Sequence, residues 1–151
     1  MTLTPKETSL LGDLEKKEQL CIEKYHRYAE CAKSCELKNL FTGMEQTEQS
    51  HLTAIKDMKA GKEPNPHMSI SNSNNQNCAA YQYGNEQDRK NDAFLCEDML
   101  STEKHVSSVY DVSVFEFATP SARKMLNHIQ AEEQQHGEQL YAYMKANGMY
   151  Q

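Results

Sequence analysis

The sequence "AEEQQHGEQL" (residues 131–140) places Glu133 three residues before His136 in a strongly helical stretch. The sequence "TEQSHLTAI" (residues 47–55) repeats this spacing with Glu48 and His51. Residues three apart on a helix project from the same face. Both pairs occupy positions where a buried leucine is expected, so each Glu-x-x-His motif predicts polar side chains on the inward face of a helix.

The two motifs belong to an internal repeat. An offset of 85 residues relates four pairs: Glu18 and Glu103, Tyr25 and Tyr110, Glu48 and Glu133, and His51 and His136. A single Glu-x-x-His motif is a weak signal in a chain rich in glutamate. Two motifs in register, each preceded by the same glutamate and tyrosine, indicate a duplicated site.

Four helices are predicted, at about residues 5–33, 36–60, 87–118 and 120–146. The first begins with Thr4 as N-cap, Pro5 at the first helical position and Glu7 completing a capping box. Gly61 can terminate the second helix. "TPSA" (residues 119–122) predicts another threonine cap followed by proline at the start of the fourth.

The connections between these helices predict their arrangement. Short breaks join the helices into two antiparallel hairpins, and residues 61–86, rich in Asn, Ser, Pro and Gly, form a long connection between the hairpins. Strand signals are essentially absent. The sequence therefore predicts a single all-α domain over residues 1–151, a four-helix bundle with one long crossover.

Each predicted helix carries a three-four repeat that marks its inward face. The inward positions are Leu11, Leu14, Glu18, Cys21, Tyr25, Tyr28 and Ala32; Leu37, Leu40, Met44, Glu48, His51, Ile55 and Met58; Cys96, Met99, Glu103, Val106, Tyr110, Ser113 and Phe117; and Ala122, Met125, Ile129, Glu133, His136, Leu140 and Tyr143. The glutamates and histidines of the repeat thus lie among leucines and methionines.

Helix lengths predict that these polar residues meet. Glu18 lies 16 residues before Ser34, which is about 24 Å of helix at 1.5 Å per residue. Glu48 and His51 lie 13 and 16 residues after Cys35, on average about 22 Å back along the partner helix. A hairpin turn near Ser34 therefore brings the three residues level, and the second half repeats this relation.

Four carboxylates facing one another in a core must be paired, protonated or bound to metal. Two divalent cations would balance four carboxylate charges, and two neutral imidazoles would complete the ligand set. Oxygen and nitrogen ligands without thiolate favour iron or manganese, with zinc as a substitute. The alternative is a solvated polar stripe, which makes both the duplication and the equal depth accidental.

Over nearly its whole length the chain resembles the ferritin-like superfamily, and within it the rubrerythrin branch. The resemblance lies in the residues related by the 85-residue offset. It implies that Glu18, Glu48, His51, Glu103, Glu133 and His136 are ligands of two metal ions. It also implies that Tyr25 and Tyr110 hydrogen-bond ligand carboxylates, although both could instead be core filler.

Rubrerythrins reduce hydrogen peroxide and pass electrons through a rubredoxin domain that requires two C-x-x-C pairs. This chain has none, so an external electron donor or a different activity is required. The expected chemistry is oxidation of Fe(II) by peroxide or dioxygen. The alternative is a structural protein that uses the metal site only as a staple.

A second resemblance extends over longer stretches of the amino-acid sequence. The segments "LTPKETSLLGDLEKKEQLCIEKY" (residues 3–25), "NDAFLCEDMLSTEKHVSSVYD" (residues 91–111) and "MKANGMYQ" (residues 144–151) look like the spore coat F family of spore-forming bacteria. This resemblance implies association with the spore coat and its proteins, and it supplies no chemistry. Ferritin-like bundles commonly form homodimers, so a second copy of this chain is a further expected partner.

Composition limits the remaining function classes. A net charge of −6 without a basic stripe argues against nucleic-acid binding. No apolar run approaches a membrane span and no signal peptide is evident, which predicts a soluble protein made in the cytoplasm. The five cysteines lack C-x-x-C spacing and predict reduced thiols. Cys31 and Cys35 are predicted to share one helical face and are interpreted as small core-facing thiols, with a metal or redox role for the pair as the alternative.

Other acidic and histidine side chains are weaker candidates. The glutamates near enough to serve as alternative ligands are Glu15, Glu45 and Glu97, which are interpreted as surface or supporting residues. The histidines without the repeated context, predicted to be exposed, are His26, His67, His105 and His128.

Overall fold

The computed structural model describes residues 1–66 and 80–150. Within these ranges the chain forms four helices and no strand: α1 (Pro5–Cys31), α2 (Cys35–Lys59), α3 (Glu86–Val114) and α4 (Pro120–Ala146). The prediction of an all-α protein with four helices is confirmed. Residues 67–79 of the predicted connection, including His67 and Cys78, lie outside the described residues.

The helix starts show which capping predictions hold. The Thr4 side chain accepts a hydrogen bond from the Glu7 backbone N–H at 3.1 Å, and the Glu7 carboxylate accepts one from the Thr4 N–H at 2.7 Å, so the capping box is present. Gly61 follows the end of α2 with a φ of 83°, a left-handed conformation that favours glycine. Thr119 occupies the N-cap position of α4 but makes no side-chain cap, contrary to the prediction.

Two helices end earlier than predicted, because buried carboxylates bind the turns that follow them. The α1 helix ends at Cys31 rather than Lys33, and the Asp92 carboxylate accepts hydrogen bonds from the N–H groups of Lys33 and Ser34 at 2.8 and 3.0 Å. The α3 helix ends at Val114 rather than Ala118. There the Glu7 carboxylate accepts the Ala118 N–H at 3.0 Å.

Side-chain contacts fix the helix directions. Glu15 of α1 forms a salt bridge with Lys59 near the end of α2. Lys24 of α1 forms a salt bridge with Asp98 in the first half of α3. The α1 helix is therefore antiparallel to both α2 and α3, which run parallel to each other. The end of α2 and the start of α3 therefore lie at opposite ends of the four-helix arrangement, as the predicted crossover requires.

The core consists of two apolar clusters separated by a polar layer. One cluster includes Leu11, Leu14, Ile55, Met58, Val106 and Ile129, and the other includes Leu37, Phe41, Met44, Met99 and Leu140. Between them, on every helix, lie the side chains that we call the Glu/His layer: Glu18, Glu48, His51, Glu103, Glu133 and His136. The apolar clusters hold this layer away from water on both sides along the helix axes.

Two further predictions concern the membrane and the thiols. None of the four helices is long and apolar enough to cross a membrane, among the residues described. Cys21 and Cys96 are buried free thiols, as predicted, whereas Cys31 and Cys35 are exposed. The prediction that Cys31 and Cys35 share one helical face is wrong, because Cys31 ends α1 and Cys35 begins α2.

Candidate metal centre

The structure brings all six predicted ligands together in the Glu/His layer. No member of the layer is more than 4% exposed. Glu18 comes from α1, Glu103 from α3, and each Glu-x-x-His pair from α2 or α4. Each helix therefore contributes through the inward face that its three-four repeat defines, and the hairpin turns set the common depth.

The layer divides into two overlapping groups of four ligand atoms. Glu18, Glu48, His51 and Glu133 form one group, and Glu48, Glu103, Glu133 and His136 form the other, with the atoms of each group within 4.8 Å of one another. Glu48 and Glu133 belong to both groups. Each group thus has one histidine, one carboxylate of its own and two shared carboxylates.

Both histidines turn the same ring nitrogen toward the carboxylates. The Nδ1 atom of His51 lies 3.1 Å from Glu48 Oε2 and 3.1 Å from Glu133 Oε1. The Nδ1 atom of His136 lies 3.2 Å from Glu48 Oε1 and 3.2 Å from Glu103 Oε1. The two rings lie with their centroids 6.3 Å apart, so the halves of the layer face each other across the core.

The two tyrosines hold one oxygen of each unshared carboxylate. The Tyr25 hydroxyl donates to Glu103 Oε1, and the Tyr110 hydroxyl donates to Glu18 Oε1. Burial and the neighbouring carboxylates raise the pKa of both tyrosines, so the hydroxyls remain donors. Each tyrosine acts across the boundary between hairpins, and the hydrogen bonds favour a polar role over core filler.

Several carboxylate oxygens of the layer lack a hydrogen-bond partner. These atoms are Glu18 Oε2, Glu103 Oε2 and Glu133 Oε2, all buried. A buried polar atom without a partner costs free energy. All three atoms belong to residues of the two ligand groups, and a bound cation would supply the partner that they lack.

The shared and unshared carboxylates differ in their affinity for protons. Burial, together with the charge of Glu18 and Glu103, raises the pKa of Glu48 well above 4.5, and burial with neighbouring carboxylates does the same for Glu133. Against the effect of burial, the neighbouring carboxyl of Glu133 and the hydrogen-bonding groups of His136 and Tyr25 lower the pKa of Glu103 to about 2. In the metal-free protein the shared carboxylates therefore bind protons more readily than Glu103 does.

Sequence reasoning missed Glu132, a further buried carboxylate beside the layer. Glu132 is 3% exposed, and its Oε2 lies 3.8 Å from the outer nitrogen, Nε2, of His51. Its Oε1 lies 2.5 Å from His128 Nε2, so His128 is a half-buried partner rather than an exposed side chain. The spacing of Glu132 from Ile129 and His136 was the available signal, because three and four residues separate inward positions.

The other weak candidates lie outside the layer. Glu15 pairs with Lys59, Glu45 pairs with His26, and Glu97 is exposed. His105 is exposed as predicted. The interpretation of these residues as surface or supporting groups agrees with their positions.

Comparison with known proteins gives one match. Residues 91–151, which include α3 from its sixth residue onward and all of α4, match the family model described as the Coat F domain. No curated protein and no solved structure matches the chain. The match includes Glu103, Tyr110, Glu133 and His136, and it supports the resemblance of this half of the chain to spore coat F proteins.

Proposed function

We propose that the chain is a spore coat protein of the Coat F type whose ferritin-like four-helix bundle binds two divalent metal ions. The family match supports the association with the coat. The observation on which the metal site rests is the pair of overlapping ligand groups that share Glu48 and Glu133. Glutamates from two helices with Glu-x-x-His from the other two form the ligand pattern of dinuclear carboxylate bundles.

The donor set fits iron or manganese, with zinc as a substitute. It offers carboxylate oxygens and imidazole nitrogens and no thiolate. Cys21 is the buried thiol nearest in sequence to Glu18, and burial with the surrounding glutamate charges raises its pKa, so the sulfur stays protonated. Two cations would neutralise four carboxylates that otherwise repel one another in a low-dielectric core.

Each residue of the layer has a distinct part in this proposal. Glu48 and Glu133 would contribute to both ions, because each belongs to both groups. His51 and His136 would each anchor one ion through Nδ1. Tyr25 and Tyr110 orient Glu103 and Glu18 by holding one oxygen of each, which leaves the second oxygen available.

Metal loading is expected to raise the melting temperature of the chain. Protein freed of metal by chelation and then loaded anaerobically with Fe(II) should contain about two ions per chain by elemental analysis. A ligand bound only by the folded state stabilises it by about 2.7 kcal/mol when present at one hundred times its Kd. An unchanged melting curve between metal-free and fully loaded protein would contradict a structural part for the ions.

A second candidate function is oxidation of Fe(II) by peroxide or dioxygen, favoured by the likeness of the ligand set to rubrerythrins. Bound iron would supply one-electron oxidation and reduction. Reduction of peroxide to water requires two electrons and two protons, and an external donor must restore the electrons after each cycle.

Peroxide consumption separates the coat protein with a metal staple from the redox protein. Iron-loaded protein with excess reductant is expected to consume many equivalents of peroxide if the redox function holds. Zinc-loaded protein is the matched control, because zinc fills the site without redox chemistry. Consumption no greater than that of the zinc form would leave the structural coat function alone.

A further inference from the structure

A groove between α3 and α4 leads from the surface to the Glu/His layer. It encloses about 410 Å³, and its lining includes Glu103 and Glu133 of the layer together with Ser107, Gly137 and Tyr150. The two glutamates are almost completely buried, whereas Tyr150 is 45% exposed. The groove, which we call the α3–α4 groove, therefore has an inner end at the layer and an outer end at the chain terminus.

Gly137 keeps this groove open. Glycine in the interior of a helix is less favourable than alanine, and at Gly137 it leaves the α4 side of the groove without a side chain. A Cβ atom at Gly137 would lie 3.8 Å from Leu100 Cδ1, which is ordinary contact. An added methyl group would therefore fit, while a larger side chain would extend into the groove.

The internal repeat provides a comparison for this face. The positions 85 residues before Ser107 and Gly137 hold Ile22 and Leu52. The corresponding face between α1 and α2 thus carries two large apolar side chains where the α3–α4 face carries a hydroxymethyl group and a hydrogen. The two faces of the duplicated site are unequal in bulk.

The inner end of the groove meets one of the two ligand groups. Glu103 and Glu133 belong to the group that contains His136, and the Oε2 atom of each is buried without a hydrogen-bond partner. Most of the surface that the groove exposes is apolar, which suits uncharged molecules, and the polar side chains of Lys104 and Gln134 also line it. A small molecule at the inner end of the groove would therefore lie beside Glu103 and Glu133, two members of the His136 group.

We propose that the α3–α4 groove is the entry route by which small uncharged molecules of the size of dioxygen or hydrogen peroxide reach the metal position of the His136 group. This inference rests on the proposed metal site and adds to it a side of entry and a residue that controls access. Gly137 acts only through the width of the route, because glycine has no side chain that could bind metal.

The test is the rate at which nitric oxide combines with the Fe(II)-loaded protein. Nitric oxide is uncharged, matches dioxygen in size and produces a visible absorption band on binding ferrous iron, which stopped-flow mixing can follow. The variant Gly137→Leu introduces the residue found at the matched position 52. It is expected to retain both irons while combining with nitric oxide more slowly by roughly ten-fold or more, because access to the site is restricted.

Gly43→Leu is the matched control, since a Cβ at Gly43 would meet nothing within 4 Å, and it is expected to leave the rate unchanged. If Gly137→Leu fails to fold or to hold iron, Ser107→Ile tests the same groove from α3. A wild-type rate in either groove variant holding two irons would overturn the proposed route. Wild-type protein that holds no iron would overturn the metal site itself, which elemental analysis of the same samples detects.

Discussion

Glu48→Gln is expected to empty both metal positions, whereas His51→Ala should empty only one. Glu48 belongs to both ligand groups, while His51 belongs to one. An amide in place of a shared carboxylate removes a negative charge from both ions at once. After anaerobic loading with Fe(II) and removal of free metal, elemental analysis should give close to no ions for Glu48→Gln and about one weakly held ion for His51→Ala.

Glu45→Gln is the control for the loss of a glutamate from the same helix. Glu45 lies one turn before Glu48 and bonds His26 at the surface, so its variant should retain both ions. His136→Ala should match His51→Ala, because the two histidines occupy equivalent places in the repeat. Two tightly bound ions in both histidine variants would show that the histidines are wrongly assigned.

The metal-free and metal-loaded proteins are expected to respond to pH in opposite directions. Burial and neighbouring charge raise the pKa of Glu48 and Glu133 above 4.5 in the folded protein. Folded metal-free protein therefore keeps protons that the unfolded chain has lost, and its free energy of unfolding falls as pH rises above 4.5. Each retained proton contributes a slope of up to about 1.4 kcal/mol per pH unit.

Two other side chains of the layer, His51 and Glu103, also make the stability of the metal-free protein depend on pH. His51, whose pKa its carboxylate neighbours raise despite burial, adds a loss of stability as pH rises above 6.5. Glu103, with a pKa of about 2, contributes stability above 4.5 that disappears as pH falls toward 2. Metal-free protein should therefore be most stable in mild acid. Metal displaces the protons, so binding tightens and the loaded protein gains stability as pH rises.

Thermal unfolding between pH 4.5 and 8.5, with and without metal, measures these slopes. The double variant Glu48→Gln with Glu133→Gln imitates the protonated carboxyls, so metal-free stability should vary less with pH and exceed that of the wild type at pH 8. Glu45→Gln again serves as the control. A metal-free wild type that gains stability steadily from pH 5 to pH 8 would contradict the assigned proton affinities.

The inward faces of the helices could be predicted because burial repeats with the helix period. Nearly every position assigned to the inward face is buried, and Tyr28 and Leu40 are half-buried. The common depth of Glu18, Glu48 and His51 followed from counting residues to the turn, since helical rise is constant. The shared use of Glu48 and Glu133 could not be predicted, because it depends on how the two hairpins dock.

Features that depend on contacts distant in sequence were not predicted. The early ends of α1 and α3 result from Asp92 and Glu7, which bind backbone N–H groups 58 and 111 residues away. Local sequence around Lys33 or Ala118 contains no sign of either carboxylate. Glu132 was missed because its position widens the inward face of α4 beyond the repeat, and because its approach to His51 joins two different helices.

The contacts that join the hairpins across the Glu/His layer have a kinetic consequence. Tyr25 donates a hydrogen bond to Glu103, Tyr110 donates one to Glu18, and His51 lies against Glu133. All three contacts join one hairpin to the other, so the layer exists only after the two hairpins dock. Each hairpin can form from contacts close in sequence, which generally makes folding fast. Interactions absent from the folding transition state slow unfolding without accelerating folding. Bound ions would thus lengthen the lifetime of the folded chain while leaving the time it needs to fold unchanged.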